Sequence, residues 1–198
     1  GQMGGGIAHV CALAGLDVTL LDIEDAVLAR AVDTIRGNLA RQVSRGKIAE
    51  GEAEAAVARI ATTTDYASFA ACDAVVEAAT ENEEIKRAVF QSMLPHLRND
   101  ALIASNTSSI SITRLAAGTD RPERFIGLHF MNPVPVMKLV EIIRGIATDQ
   151  PTFDAFNALA DRLDKTVAVA EDFPAFIVNR ILLPMINEAV YTLSLIHI

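Results

Sequence analysis

A histidine and a glutamate, twelve residues apart, are the two side chains in this sequence best suited to moving a proton. His129 lies in the apolar run FIGLHF and Glu141 lies in KLVEIIR, and Asn132-Pro133-Val134-Pro135 between them can turn the chain. If the two runs are strands that pair back to back, the carboxylate of Glu141 faces the imidazole of His129 and can accept one ring N–H. That contact fixes the tautomer and raises the basicity of the other ring nitrogen, as removal of an alcohol proton during hydride transfer requires. A strand histidine that is hydrogen-bonded only for structure is the alternative interpretation.

Hydroxyl and amide side chains cluster after another apolar run, at residues 105–109. The sequence there is Ser-Asn-Thr-Ser-Ser, and it follows the run ALIASN, which we interpret as a strand. Open α/β sheets bind ligands beyond the carboxyl ends of their strands, so these side chains are candidates for binding; a helix N-cap or a turn is the alternative. Asn179 is a further polar residue in an apolar setting, within FIVNRI. Because a buried amide without a partner is costly, Asn179 either faces solvent or has a partner, and its neighbours favour a partner.

The chain begins with a glycine turn of the type that binds dinucleotides. Gly1-Gln2-Met3-Gly4 leads into a predicted helix, and Asp22 ends the strand that follows. The pattern matches the second half of the Gly-x-Gly-x-x-Gly fingerprint. Gly1 lets the backbone approach a pyrophosphate, Gly4 lets helix and strand pack closely, and the helix N-terminus offers free N–H groups to the anion. Asp22 would accept hydrogen bonds from ribose hydroxyls, which favours NAD over NADP. A tight turn without a ligand, or the similar turn of methyltransferases, is the alternative.

These residues need an alternating set of strands and helices to bring them together. Hydrophobic periodicity and turn residues predict strands at 17–22, 60–64, 73–79, 101–106, 125–130, 138–144 and 166–171. They predict helices at 5–14, 25–45, 50–57, 83–97, 111–116 and 151–163. This alternation indicates βαβ units with right-handed crossovers, so we predict a doubly wound α/β domain of the Rossmann type, with a mostly parallel sheet, over residues 1–172. From Pro174 an apolar-rich helix follows without a further strand, and we interpret residues 173–198 as the first helix of an all-helical C-terminal domain.

Composition limits the partners that this chain is expected to bind. The formal charge at pH 7 is −8 and the isoelectric point is near 5.0, with 25 acidic and 17 basic residues. A nucleic-acid surface requires a basic face, so nucleic acid is not an expected partner, and an anionic ligand must be met by local donors. The two cysteines, Cys11 and Cys72, show no disulfide or metal-ligand spacing, and no apolar run reaches the ~18 residues of a membrane span. We expect a soluble cytoplasmic protein with no metal site.

Three segments together resemble the signature segments of the 3-hydroxyacyl-CoA dehydrogenase family, in their usual order and spacing: ASNTSSI, RFIGLHFMNPVPVMKLVEII and FPAFIVNR. The resemblance covers nearly the whole chain. It implies an enzyme that transfers a hydride between NAD and the 3-hydroxyl of an L-3-hydroxyacyl-CoA, in fatty-acid metabolism. By this resemblance, His129 is the general base for the hydroxyl proton, and Glu141 orients and supports it. Ser108 would hydrogen-bond the reacting oxygen, and Asn179 would help to position the substrate.

The resemblance also implies a set of binding residues. Positions that match cofactor contacts of the family are, besides Gly1, Gln2, Met3, Gly4 and Asp22, the residues Glu81, Lys86, Ser108 and Asn132. Asn38, Arg45 and Lys47, on or just after the second predicted helix, lie where the family grips the nucleotide of CoA; basic residues that only solvate a helix are the alternative. The family further implies a homodimer for the full-length parent.

The sequence departs from the family pattern at three places. The strand that would carry the first fingerprint glycine is missing, and because that strand is central in this topology, its loss would leave two strands without a ladder partner. Ala175 stands where the family usually has glycine, and after about Leu193 the sequence stops matching. We therefore expect a segment cut short at both ends, with activity in the full-length parent rather than in the segment alone. A related NAD-dependent dehydrogenase of a free hydroxy acid or sugar acid, and a non-catalytic NAD-binding relative, are the alternative functions.

Overall fold

Helices and strands alternate along the chain as predicted, in a computed structural model that describes residues 1–197. The strands are β1 (Val18–Leu21), β2 (Ile60–Thr63), β3 (Ala74–Glu77), β4 (Leu102–Ser105), β5 (Phe125–Phe130), β6 (Leu139–Arg144) and β7 (Thr166–Glu171). The α-helices are α1 (Gln2–Leu13), α2 (Asp25–Ser44), α3 (Glu50–Ala58), α4 (Glu83–Met93), α5 (Ile112–Ala116), α6 (Gln150–Arg162) and α7 (Val178–Thr192). Residue 198, the last of the predicted C-terminal segment, lies outside the described residues.

The strands form two sheets whose neighbours are mostly parallel, as predicted. β1 pairs with β2, and the remaining strands follow in the order β3-β4-β5-β6-β7. β5 and β6 run antiparallel, and the other paired strands in the described part of the chain run parallel. β1 and β3 each have a hydrogen-bonded neighbour on one side, in agreement with the expectation that two strands would lack a ladder partner.

Helices pack on both faces of the larger sheet, which makes the fold doubly wound. On one face, Ile7 of α1 and Phe156 of α6 pack with residues of the sheet. On the opposite face, Phe90 of α4 and Leu115 of α5 do the same. Every residue of β5 is buried, as is typical of a strand that is covered on both sides. The end of β5, which carries His129, is therefore held within the core on both sides of the sheet.

The last helix begins later than the sequence pattern indicated. We predicted a helix from Pro174, but α7 begins at Val178. Ala175 and Phe176 have φ angles of 67° and 51°, in the left-handed region that a right-handed helix excludes. They form a turn instead, in which Phe176 N donates to Phe173 O at 3.0 Å. The predicted domain boundary falls in this turn, directly after β7, and the division into two domains stays a prediction.

Two other helices differ from their predicted bounds. α1 begins at Gln2 instead of residue 5, because the glycines that we assigned to a turn adopt helical geometry. α4 ends at Met93, and the chain continues as a 3₁₀ turn at Leu94–His96. Pro95 has no N–H with which to continue the α-helix, which explains the earlier end.

Several apolar side chains of α7 are exposed, among them Ile181, Leu183 and Met185. This face of the helix has no partner in the part of the chain that the structure describes. Even with this apolar surface, no helix within residues 1–197 is both long enough and apolar enough to cross a membrane.

His9 is a buried histidine in the helical layer. It is 1% exposed, and its Nε2 lies 3.1 Å from Gln42 Nε2 of α2. Its Nδ1 has no hydrogen-bond partner among the described residues. Burial, and secondly the charge of Lys165, lower the pKa of His9 to about 4. The neutral ring therefore packs between α1 and α2.

We predict that His9 makes the protein sensitive to mild acid. A histidine of the unfolded chain titrates near ~6.5, whereas the pKa of His9 in the folded protein is about 4. Between these values the unfolded state binds the additional proton, so the free energy of unfolding falls as the pH is lowered, by up to ~3 kcal/mol at pH 4. Urea unfolding of His9→Gln over this pH range should give a flatter profile, whereas His96→Gln, at an exposed histidine, should not. Parallel profiles for His9→Gln and the unmutated protein would contradict the prediction.

Candidate active site

His129 and Glu141 face each other across β5 and β6, as predicted. The strand register pairs these two residues, and His129 Nδ1 lies 2.6 Å from Glu141 Oε2. The other ring nitrogen, Nε2, lies 3.0 Å from Ser108 Oγ. His129 is 6% exposed and Glu141 is fully buried, and a hydrogen bond shielded from water is stronger than one in solution. Carboxylate, imidazole and hydroxyl thus form a continuous line, which we call the Ser108–His129–Glu141 line.

The second oxygen of Glu141 holds the beginning of α7. Glu141 Oε1 accepts hydrogen bonds from Ile177 N at 2.9 Å and from Val178 N at 2.8 Å. A carboxylate at a helix N-terminus satisfies free N–H groups and interacts favourably with the helix dipole. One carboxylate therefore orients the imidazole of His129 and also fixes the start of the last helix.

α7 also contacts the loop between β4 and α5, residues 106–111, which we call the Ser108 loop. Asn179 Nδ2 donates to Ser108 O at 3.2 Å, so this asparagine has the partner that its apolar surroundings led us to expect. Phe176, just before α7, is buried, and its ring centroid lies 6.1 Å from that of His129. The structure thus brings the residues predicted for the reaction, Ser108, His129, Glu141 and Asn179, into one place.

Glu81 fixes the Ser108 loop from the side of β3. Its Oε1 accepts hydrogen bonds from Thr107 Oγ1 at 2.6 Å, Ser108 N at 2.8 Å, Ser109 N at 3.0 Å and Ser109 Oγ at 2.9 Å. Burial alone would raise the pKa of Glu81, but these hydrogen bonds and the charge of Lys86 outweigh it and hold the pKa below its usual value. The role of Glu81 in cofactor binding stays a prediction, and Oε2 is the oxygen that the loop does not use.

Lys86 lies beneath the site rather than at its surface. It is 1% exposed, and its Nζ donates to both oxygens of Glu77, at 2.9 and 3.0 Å, and to Ala79 O at 3.2 Å. Ser105 Oγ donates to the same carboxylate at 2.6 Å. These partners use the three N–H donors of the ammonium group, so direct contact between Lys86 and a cofactor stays a prediction.

The sequence interpretation missed the carboxylates that hold the site from below. Glu77 lies in DAVVEAA, which we interpreted as an apolar strand. The available signal was the charge itself, because a carboxylate at a buried strand position requires a cationic or hydrogen-bonding partner. Asp172 was treated only as part of a domain junction, and its position directly after a strand gave no indication of its contacts.

The N-terminus of α1 has the groups that a dinucleotide needs. Gly1 is the N-cap of this helix and no side chain caps its first turn. Asp22 follows β1, with Oδ2 at 3.0 Å from the Gly1 nitrogen and Oδ1 accepting from Ile23 N at 2.8 Å. Uncapped N–H groups can bind a pyrophosphate and a carboxylate can bind ribose hydroxyls, so the residues present fit NAD.

The close approach that requires a glycine occurs at Gly6 and not at Gly4. A Cβ added to Gly4 would lie 3.9 Å from the Cβ of Ala78, which is an ordinary contact. A Cβ added to Gly6 would lie 2.9 Å from that of Val134, which is too close. Met3, the remaining residue of the turn, packs against the core. α1 therefore needs glycine to approach the turn after β5.

A cavity of about 430 Å³ lies between α1, α2 and the turn after β5. Its lining contains four of the predicted binding residues, Gly1, Gln2, Asn38 and Asn132, together with Arg30. Arg45 and Lys47 are exposed and do not belong to this lining. Within residues 1–197, no group of three or more His, Cys, Asp or Glu side chains is placed to hold a metal ion.

Comparison with known families gives a match that spans most of the chain. The family model for "3-hydroxyacyl-CoA dehydrogenase, NAD binding domain" matches residues 1–173. This range contains β1 to β7 and therefore the entire sheet region described above.

Individual relatives agree with this match. The chain is 60% identical over 193 residues to the 3-hydroxybutyryl-CoA dehydrogenase of Bradyrhizobium diazoefficiens, covering 98% of this chain and 66% of that protein. It is 44% identical over 184 residues to the fatty acid oxidation complex subunit alpha of Acinetobacter baylyi, covering 93% and 26%. It superimposes on the crystal structure of the (S)-3-hydroxybutyryl-CoA dehydrogenase of Ralstonia eutropha with a TM-score of 0.96 and 47% identity, covering 98% of this chain and 69% of that one. The chain thus spans about two thirds of the length of these dehydrogenases and about a quarter of the oxidation subunit.

We predict that Lys86→Met destabilises the protein by ~3–5 kcal/mol, because it leaves the buried carboxylate of Glu77 without its cation. Lys138→Met is the matched control, because both partners of the Lys138–Asp164 ion pair are exposed and such a pair contributes ~1 kcal/mol or less. Urea unfolding measures both. The double variant Glu77→Gln/Lys86→Met removes both buried charges and should recover much of the loss. A Lys86→Met cost no larger than that of Lys138→Met would show that the buried pair is not essential to the fold.

Proposed function

Because the chain belongs to the 3-hydroxyacyl-CoA dehydrogenase family, we propose that the protein transfers a hydride between NAD and the 3-hydroxyl of an L-3-hydroxyacyl-CoA, of the 3-hydroxybutyryl-CoA type. The observation that carries the proposal is the Ser108–His129–Glu141 line, with distances of 3.0 and 2.6 Å between its successive groups. It lies at the carboxyl end of β5, on the side of the sheet where α/β proteins bind ligands.

Each residue of the site has a role that follows from its contacts. His129 Nε2 takes the hydroxyl proton of the substrate as the hydride leaves C3, and returns it in the reverse direction. Glu141 holds Nδ1 as the N–H tautomer, which leaves Nε2 free to accept. Ser108 Oγ lies next to Nε2, where it can hydrogen-bond the reacting oxygen. Asn179 positions substrate from α7, and NAD supplies the acceptor for the hydride.

The acidic group at the end of β1 favours binding of NAD over binding of NADP. Asp22 is the residue that would accept hydrogen bonds from the adenine ribose hydroxyls. The additional phosphate of NADP would meet this carboxylate at close range, with repulsion between the like charges. We propose that Gly1 and Gln2 bind the pyrophosphate, and that Asn132 and the free oxygen of Glu81 contact the nicotinamide side.

The CoA nucleotide requires basic groups, which this acidic chain concentrates on α2. Arg30 and Asn38 lie on this helix, Arg45 is its C-cap and Lys47 lies in the turn after it. Arg30 and Asn38 line the same cavity as Gly1 and Gln2 of the cofactor site. None of the three basic residues forms an ion pair with an acidic side chain among the described residues. We propose that Asn38, Arg45 and Lys47 bind the nucleotide of CoA and its phosphates.

We also propose that the protein works in fatty-acid metabolism in the cytoplasm, as a homodimer. Cys11 and Cys72 are both free, which suits a reducing compartment. The exposed apolar side chains of α7 support a further covering of this helix in the complete protein, and such surfaces are typical of sites of assembly.

We predict that His129→Gln lowers the rate of NADH oxidation with acetoacetyl-CoA at least ~100-fold, about 3 kcal/mol in the barrier, because no other group of the line can carry the proton. NADH binding, measured by fluorescence titration, should be unchanged. His96→Gln, at an exposed position far along the chain, is the control and should retain full activity. The assay uses the protein at its full natural length. Inactivity of the unmutated protein would contradict the proposed dehydrogenase activity, and full activity of His129→Gln would contradict the role of His129 as the general base.

We predict that acetoacetyl-CoA is preferred over free acetoacetate by at least ~1000-fold in kcat/KM, which corresponds to ~4 kcal/mol of binding energy from the CoA part.

The double variant Arg45→Gln/Lys47→Gln should raise KM for acetoacetyl-CoA with little change in kcat. The same variant should have no effect on acetoacetyl-pantetheine, which lacks the phosphates. Equal use of the free acid would favour a hydroxy-acid dehydrogenase of the same superfamily instead.

A further inference from the structure

Asp172, the residue that follows β7, reaches across the sheet to the segment that carries Ser108. Its Oδ2 accepts from Ser111 Oγ at 2.6 Å and from Thr113 N at 2.8 Å, and its Oδ1 accepts from Ile112 N at 2.9 Å. Burial alone would raise the pKa of Asp172, but these hydrogen bonds outweigh it and hold the pKa below its usual value. The carboxylate thus fastens the end of the Ser108 loop to the end of the sheet.

The chain beyond Asp172 contacts the other side of the same site. It makes a tight turn, in which Phe173 N donates to Glu171 O at 2.7 Å. The turn then places two backbone N–H groups, at residues 177 and 178, on Glu141. One residue further, Asn179 binds Ser108 O. Glu141 and the Ser108 loop are therefore both attached to a short stretch of chain that begins at Asp172.

The path from Asp172 to Ser108 is short and has little freedom. Two residues, Ser109 and Ile110, lie between Ser108 and Ser111, and Ile110 N donates back to Thr107 Oγ1 at 3.0 Å. Loss of the Asp172 contacts would leave the far end of the loop held mainly by the packing of Ile112 in the core. We expect the resulting displacement to appear mainly in the 3.0 Å contact between Ser108 and His129. A misplacement of about an ångström at a reacting group can lower a rate ~100-fold.

We propose that Asp172 is a positioning residue for the reaction: it holds Ser108 at the distance from His129 that proton transfer requires. The proposal rests on the proposed function for its kinetic consequence. Asp172 itself touches neither substrate nor cofactor. If the Ser108 loop did not depend on Asp172, the contacts of Asp172 with the first residues of α5 would contribute to stability alone. A positioning role predicts a change in kcat that depends on Ser108, whereas a purely stabilising role does not.

The kinetic test is a double-mutant cycle between Asp172 and Ser108 in the full-length protein. Asp172→Asn replaces one acceptor oxygen by an NH₂ group, so at least one backbone N–H at residues 112–113 loses its partner. Asp172→Asn alone should lower kcat ~10-fold to ~100-fold, and the loss should disappear in a Ser108→Ala background, because the hydroxyl it positions is gone. Fully additive effects on kcat would overturn the proposal. If Asp172→Asn does not fold, Ser111→Ala removes one of the three hydrogen bonds and enters the same cycle.

A matched control separates positioning from stability. Asp149 is also a half-buried aspartate that caps a helix, α6, through a hydrogen bond from Thr152 N at 2.8 Å. Among the described residues, its side chain shares no hydrogen bond with the Ser108 loop. Asp149→Ala removes the acceptor and should lower the thermal midpoint as a lost cap does, with kcat unchanged. An equal loss of kcat in the Asp149 and Asp172 variants would mean that both act only through stability.

Hydrogen exchange tests the structural half of the proposal without any activity assay. In Asp172→Asn, amides of residues 106–113 should exchange faster, while those of β5 and β6 should keep their protection. A uniform increase in exchange, or no change in the loop, would overturn the proposal. If the unmutated protein shows no acyl-CoA activity, the proposed function fails, and hydrogen exchange still decides whether Asp172 holds the loop.

Discussion

The shared carboxylate of Glu141 is the contact on which the rest of the site depends. It is fully buried, and a carboxylate without partners at such a position would be very costly. Its hydrogen bonds go to the ring of His129 and to two backbone N–H groups at the start of α7. Because both elements are attached to one side chain, neither the end of β5 nor the start of α7 can move without the other. The antiparallel pairing of β5 with β6 is what places Glu141 opposite His129, and it is the departure from an otherwise parallel sheet.

Acidic side chains hold the site together in a chain that carries a net charge of −8. Glu81 and Asp172 accept hydrogen bonds from opposite ends of the Ser108 loop, and Asn106 Oδ1 ties its beginning to β5 through Phe130 N at 2.8 Å. Loops carry function only when a rigid scaffold positions them. Groups that are fixed before the substrate arrives need little reorganisation during the reaction, and this preorganisation is a major source of rate enhancement. Carboxylates directed at backbone N–H groups are therefore part of the site and do not simply repel its anionic ligands.

The parts of the site that could be predicted are those with a local pattern. The Asn132–Pro135 turn between two apolar runs predicted that His129 and Glu141 are paired, and the register confirms it. The order of strands and helices likewise followed from periodicity. The ion pair of Lys86 with Glu77 could not be predicted from periodicity, because the charge of Glu77 in an apolar strand indicates that a partner is needed but not which residue supplies it. The start of α7 was predicted too early because helical propensity does not report the positive φ angles that its contacts with β6 impose.

The turn before α7 is maintained by tertiary contacts against its local preference. A left-handed conformation costs an alanine or a phenylalanine ~1–2 kcal/mol, and Ala175 and Phe176 both adopt it. Burial of the Phe176 ring against His129 and the hydrogen bonds of the next two residues to Glu141 offset this cost. A glycine at position 175 would adopt the same φ without strain, but it would also leave the unfolded chain and the turn more conformations. Alanine disfavours the observed φ, so the geometry of the turn depends on the contacts of Glu141 and Phe176, which place the last helix where Asn179 reaches the Ser108 loop.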